Sequence, residues 1–308
     1  MRKTVLAAFA VVAFAAPGAA QEVKSVIVGA DPDADYFNGQ LWVYPTGRGE
    51  TLDAWVSPDR TTFTRASQML ALRDIAWIKD DREPRHYLWA PDMVAANGKY
   101  YLYYSVGPQN PSPSRLGVAV CAAPQGPCSD SGKPLLTGGN GFEAIDPMVF
   151  VDPKSGIRYL YAGGSAGATL RVFELKPDMV TIDHEVEIAQ PPLFTEGAFM
   201  HERNGIYYLS YSHGSWNTAA YEVQYAMAPS PIGPWKYRGA LLQSDKRYKG
   251  PGHHSFVRDP KDGSWSIVYH RWEGKKGTGP YSDDRKIAIQ PISYDSYGQI
   301  VPIKMTAP

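Results

Sequence analysis

The 308-residue chain holds only two cysteines and no stretch of ten or more residues with helical periodicity and caps. It has no basic run and, beyond residue 20, no apolar run approaching the roughly 18–20 residues that a membrane span requires. Each absence excludes a class. Without helical segments, α and α/β architectures are not expected. Without a basic run in a chain of 31 basic and 31 acidic residues, neither nucleic acid nor an anionic membrane surface is an expected partner. Two cysteines cannot build a Cys-rich metal site. Cys121 and Cys128 flank a Pro- and Gly-containing turn and read as a disulfide stapling a hairpin; a metal or catalytic thiol would need a nearby His or further Cys.

What is present begins with a segment outside the fold. Arg2 and Lys3, the apolar stretch Thr4 to Pro17 and the small residues Gly18-Ala19-Ala20 read as a secretory signal over 1–20. The expected mature chain, 21–308, is then a single domain in the periplasm or outside the cell. No Cys stands at the cleavage point to carry a lipid. Removing Arg2 and Lys3 changes the charge from 31 − 31 = 0 to 29 − 31 = −2.

A phrase then recurs five times: an opening residue, a short apolar run, a turn containing Gly, and an aromatic-rich run. The copies span 31–46, 90–105, 146–164, 196–212 and 253–272, and their first residues are 59, 56, 50 and 57 positions apart. Self-similarity at such a period predicts an all-β, five-bladed β-propeller, with one blade of about four strands per copy. Asn-Gly at 38–39, 97–98 and 204–205 and Asp262-Gly263 are the hairpin turns. Aromatic second strands follow, as at 98–105 and 205–212, and third strands are expected at 117–120, 169–175, 222–228 and 286–291. If the inner strand starts at the axial mouth, loops 106–116, 163–168, 213–220 and 272–285 ring that mouth and supply ligand contacts.

The five opening positions carry Asp31, Ala90, Asp146, Glu196 and His253. Radial symmetry brings equivalent positions to one axis, so three carboxylates converge. Two carboxylates across a cleft hydrolyse a glycosidic bond, one activating water and the other protonating the leaving oxygen. A third nearby raises the donor's pKa, because like charges resist joint ionisation. Glu196, the longest, suits the donor. Space for a water across the axis favours inversion. Asp before Pro at a strand start is also a common turn residue, as in Asp31-Pro32 and Asp146-Pro147. The shared register is what distinguishes these acids, and Asp33, Asp35 and Asp92, which fall off it, serve as controls. His253 shares the register and could close the channel floor, bind a water or help hold a cation. Trp89 reads as a sugar-stacking platform or as a structural Trp, and Arg285 as a sugar contact or a surface ion pair beside Asp283-Asp284.

These residues resemble glycoside hydrolase family 43 over essentially the whole mature chain. The matches are Ala30-Asp31-Pro32 with Phe37-Asn38-Gly39, Trp89-Ala90-Pro91-Asp92, Ile145-Asp146-Pro147, Thr195-Glu196-Gly197, and Gly252-His253-His254-Ser255-Phe256 with Tyr269-His270-Arg271. The resemblance implies Asp31 as general base, Asp146 as the residue that tunes and orients the donor, and Glu196 as general acid. It implies a sugar contact from Arg285 and places His253 at the channel centre, where some relatives hold a calcium or sodium ion through waters. No cofactor is required for the chemistry. Many relatives carry an appended β-sandwich, and this chain ends soon after the fifth copy. The expected enzyme is a monomeric glycosidase acting on a polysaccharide or oligosaccharide, first an α-L-arabinofuranosidase. β-Xylosidase, endo-arabinanase, galactofuranosidase and a non-catalytic carbohydrate-binding propeller are the alternatives.

Overall fold

The computed structural model describes residues 23–307 apart from 25; the secretory-signal segment lies outside the described residues. Five antiparallel sheets follow one another in chain order. Their inner strands are Ala30–Phe37, Tyr87–Ala96, Met148–Val151, Glu196–Arg203 and Tyr248–Arg258. The second strands are Gln40–Thr46, Lys99–Gly107, Arg158–Ala162, Ile206–His213 and Trp265–Glu273. Third strands stand at Thr51–Ser57, Arg115–Cys121, Arg171–Leu175, Glu222–Ala228 and Lys286–Ile292. Among the described residues the only helical pieces are two single 3₁₀ turns, Leu72–Asp74 and Ser165–Gly167. The molecule is a five-bladed propeller.

The Asn-Gly turns form as expected. Asn38, Asn97 and Asn204 take φ of 54°, 53° and 54°, and the following glycines 75°, 71° and 80°, so both central residues are left-handed and match the strand twist. At Asp262-Gly263 only the glycine is left-handed. Cys121 and Cys128 are joined by a disulfide and face one another on paired strands.

Period-two alternation sends the aromatic second strands into two interfaces at once. In blade II, Leu102, Tyr104 and Val106 pack toward blade I, while Tyr101 and Tyr103 pack toward blade III. In blade IV, Tyr207, Leu209 and Tyr211 face blade III, and Tyr208 faces blade V. Five apolar clusters result, one between each pair of neighbouring blades. Tyrosine suits these places because its hydroxyl reaches onward. Tyr44, Tyr103, Tyr161 and Tyr208 donate to the carbonyls of Pro124, Met179, Pro231 and Gly298, each in the following blade.

The ring is closed by the two ends of the chain. Blade V supplies three strands, and residues 27–29 run antiparallel to the third: Ile287 N–H donates to the Ile27 carbonyl at 2.9 Å, and Gly29 N–H to that of Arg285 at 3.1 Å.

A second ring of bonds joins the blades at the mouth. Ala90 N–H donates to Thr46 Oγ1 (2.6 Å), Asp146 N–H to Ser105 Oγ (2.9 Å), His253 N–H to Ser212 Oγ (2.8 Å) and Asp31 N–H to His270 Nδ1 (3.0 Å). In each case the acceptor stands in the last four residues of the second strand of the preceding blade. Replacing Ser212 by Ala leaves the His253 N–H buried without an acceptor. The expected cost is about 1–3 kcal/mol, measurable as a lower urea midpoint at unchanged m-value.

Candidate active site

The opening positions of the repeats share an unusual backbone. Asp31, Ala90, Asp146 and His253 have φ of 46°, 43°, 54° and 37°; in blade IV the left-handed residue is Gly197 (φ 61°), one position later. The pairing register slips beside these residues in blades I, II, IV and V, so each inner strand carries a bulge there. A bulge turns a side chain away from the pleat, and left-handed backbone at non-glycine residues persists only where surrounding bonds enforce it. The ring of N–H bonds described above does so.

The result is one cavity of ≈ 260 Å³ lined by Asp31, Asp146 and Glu196 together with Trp89, His253 and Arg285. The sequence singled out these six residues, and the structure brings all of them together. Four further lining residues are Gln109, Ile145, Ser165 and Trp216. Gln109, Ser165, Trp216 and Arg285 each come from a different one of the four mouth loops.

Asp31 is held by cations and imidazoles. Arg285 Nη1 donates to its Oδ1 at 3.2 Å, and His253 Nδ1 and His270 Nδ1 lie 3.5 and 3.3 Å from the same oxygen. Burial opposes ionisation of Asp31, but the Arg285 guanidinium, the largest opposing influence, outweighs it and holds the carboxyl far below the usual range. The His270 imidazole is fully buried and its pKa is pushed down to about 3, by burial and then by Arg285, which keeps it neutral. Arg285 is itself clamped, its guanidinium carbon 4.9 Å from the Trp216 ring centroid. Asp283 pairs with Lys275 instead, so the ion pair of Arg285 is with Asp31.

Asp146 behaves oppositely. Burial, then the carboxylates of Glu196 and Asp31, push its pKa well above the usual range. Its Oδ2 accepts the Gly197 N–H at 3.1 Å and lies 3.5 Å from His253 Nδ1. The surroundings thus favour the ionised form of Asp31 and the protonated form of Asp146.

Glu196 is fixed by two hydroxyls. Tyr221 donates to Oε1 at 2.7 Å and Ser165 to Oε2 at 3.0 Å. The Tyr221 ring is buried and stacks on His270, centroids 5.8 Å apart and planes within 5°. Close approach explains two glycines. A Cβ on Gly252 would fall 2.1 Å from the Tyr221 ring, and one on Gly164 would fall 2.4 Å from Glu196 Cβ. The sequence did not mark Tyr221, Ser165, Gln109 or Trp216, and it offered His270 only within a motif. Tyr221→Phe keeps the ring stack and removes one hydrogen bond to the acid. It is expected to lower kcat by about 10- to 100-fold with KM little changed, as steady-state kinetics would show.

The off-register acids lie elsewhere. Asp33, Asp35 and Asp92 line a separate cavity of ≈ 430 Å³. Asp33 Oδ2 accepts the Met93 N–H and Asp92 Oδ2 the Val149 N–H, both at 2.9 Å, so they tie inner strands of adjacent blades. Asp33 is pushed up to about 7, first by burial.

The chain matches the family model "Glycosyl hydrolases family 43" over residues 25–300. It is 34% identical to a β-D-galactofuranosidase of Aspergillus niger, over 90% of this chain and 83% of that protein. It is 31% identical to xylosidase/arabinosidase 43A of Humicola insolens, over 88% and 95%. Among solved structures, an enzyme of subfamily 1 from Xanthomonas citri, complexed with xylose, superposes with a TM-score of 0.72 at 25% identity, covering 92% of this chain and 94% of that one.

Proposed function

The chain belongs to glycoside hydrolase family 43, and from that premise we propose that it removes single terminal pentofuranose units from a polysaccharide or oligosaccharide, with inversion, as an α-L-arabinofuranosidase. The observation that carries this reading is that Asp31, Asp146 and Glu196 line one small cavity. Its ≈ 260 Å³ lies below the roughly 300–1,000 Å³ of drug-sized ligand sites. That is room for one sugar, which favours release from a chain end.

In the proposed reaction Asp31, held ionised, takes a proton from water as the water oxygen attacks the anomeric carbon. The bond from that carbon to the leaving oxygen breaks, and Glu196 gives its proton to that oxygen. Tyr221 and Ser165, each donating to one of its two oxygens, hold the Glu196 carboxyl group in place for that transfer. Asp146 orients the Gly197 N–H next to the acid and, by resisting ionisation, limits negative charge in the cavity.

His253 would be the protein's contribution to an axial calcium or sodium ion. Among the described residues the one group of three metal-ligating side chains is Glu174, Asp183 and His184, on the third and fourth strands of blade III. An axial ion would thus have His253 and waters around it, and no step of the reaction is assigned to it. Action outside the cytoplasm is supported by the signal-like residues 1–20 and by the disulfide.

The similarity to a galactofuranosidase favours a second reading, release of β-D-galactofuranose. A panel of chromogenic pentofuranosides, pyranosides and galactofuranosides, with product anomers followed by proton NMR, decides between them. Fastest turnover of the α-L-arabinofuranoside with the inverted anomer appearing first is expected. Preference for a xylopyranoside, or a retained anomer, would overturn the reading.

A further inference from the structure

Beside the catalytic cavity lies a larger groove of ≈ 780 Å³ built from the turn after the second strand of blade I and from the connection to blade II. Arg48, Arg73, Lys79 and Arg85 line it, with Glu50 as the one lining acid. The side chains of these four cations are exposed, and only Arg73 has a carboxylate within 4 Å among the described residues, Asp74 at 3.8 Å. His86, also in the groove, is taken by Asp81. Lining charge therefore sums to 4 − 1 = +3 in a chain that is otherwise near neutral.

An aromatic pair connects the lining of the groove to that of the active site. Tyr87 lines the groove and Trp89 the catalytic cavity; they are two residues apart on the inner strand of blade II and stack with centroids 5.6 Å apart and planes within 6°. A glycan leaving the cavity over this apolar surface arrives among the four cations.

We infer that this groove binds a carboxylate-bearing sugar, a uronate, of the same glycan whose neutral terminal sugar enters the cavity. The inference deepens the glycosidase reading and rests on it for the linkage between the two sites. Exposed guanidinium and ammonium groups, three of the four with no carboxylate within 4 Å among the described residues, cost little to pair with a ligand carboxylate, and Arg can do so with two parallel hydrogen bonds. A neutral glycan offers them hydroxyl acceptors but no charge to pair.

The test uses the full-length enzyme and its Arg73→Glu/Lys79→Glu/Arg85→Glu triple variant. Substrates are a p-nitrophenyl glycoside of the released sugar and arabinoxylo-oligosaccharides with and without a glucuronyl substituent. The wild type is expected to prefer the uronate-bearing oligosaccharide by about tenfold in kcat/KM, the size several exposed ion pairs supply. That preference should vanish in the variant and at about 0.5 M salt, where screening is strong, while both proteins hydrolyse the aryl glycoside equally. Equal rates on the two oligosaccharides in the wild type, or a preference that survives the charge reversal, would overturn the inference. Affinity electrophoresis through polygalacturonate reads the groove independently of turnover: retardation of the wild type and not of the variant supports it, and no retardation of either counts against it. If no glycoside is hydrolysed, the catalytic reading fails and the electrophoresis still decides the groove. Should the triple variant lose its fold by circular dichroism, Lys79→Glu and Arg85→Glu singly replace it.

Discussion

Glu196→Gln is expected to lower kcat on an unactivated glycoside by about 10²–10⁴-fold, the range a positioned proton donor contributes. The amide keeps the size of the side chain and can still accept from Tyr221, so the fold and KM should hold. The loss should also depend on the leaving group. A phenol of low pKa departs with little help from a proton, so its glycoside should lose far less activity than one with an alkyl or sugar leaving group. Kinetics across a series of aryl and alkyl glycosides would show this as a steeper dependence of log kcat on leaving-group pKa. A loss of equal size across the series would remove Glu196 from the role of acid.

Asp31→Asn should cost a similar factor, about 10²–10⁴, with the opposite signature. The base acts on the attacking water, so the loss should be uniform whatever departs. The ion pair with Arg285 keeps Asp31 ionised well below the pH at which a free aspartate takes up its proton. The acid limb of the wild-type pH–rate profile should accordingly not fall near pH 4, the ordinary aspartate value. An acid limb centred there would mean that the cationic surroundings of Asp31 do not govern its titration. Since its pKa is depressed in the folded state, any stability it adds is present above the unfolded value and is lost as pH falls through the folded one.

Much of this site was legible before any coordinates. The number of copies fixes the number of blades, and their register selects Asp31 and Asp146, comes within one residue of Glu196, whose neighbour Gly197 takes the left-handed place in blade IV, and leaves out Asp33, Asp35 and Asp92. The selection works because a propeller converts equal sequence phase into equal distance from the axis. Those omitted acids sit two or four residues along the strand and face another cavity. What could not be read is what the register does not repeat. Tyr221 lies just before a third strand, the place Arg285 takes in blade V, but Glu50, Ser114 and Leu170 there in the other copies share no side-chain chemistry that would mark it. Ser165 and Trp216 stand on loops of unequal length, where alignment between copies fails. The ring of inter-blade bonds left a trace that is clear only afterwards. Three copies reach Thr46, Ser105 and Ser212 at the end of the second strand, a hydroxyl in one place that reads from sequence as ordinary turn polarity. Left-handed backbone at Ala90 is hidden altogether, because alanine does not favour it.

The clasp of residues 27–29 against the third strand of blade V has a consequence for when the enzyme comes alive. The base and the guanidinium that keeps it charged are 254 residues apart in the chain, yet each sits within two residues of that seam. While the chain is being made, Asp31, Asp146 and Glu196 all precede Arg285 and His270, the two groups that charge and seat the base. Hydrolytic competence should therefore arrive in one step with the final hairpin, and a nascent protein lacking it would be inert toward its own substrate.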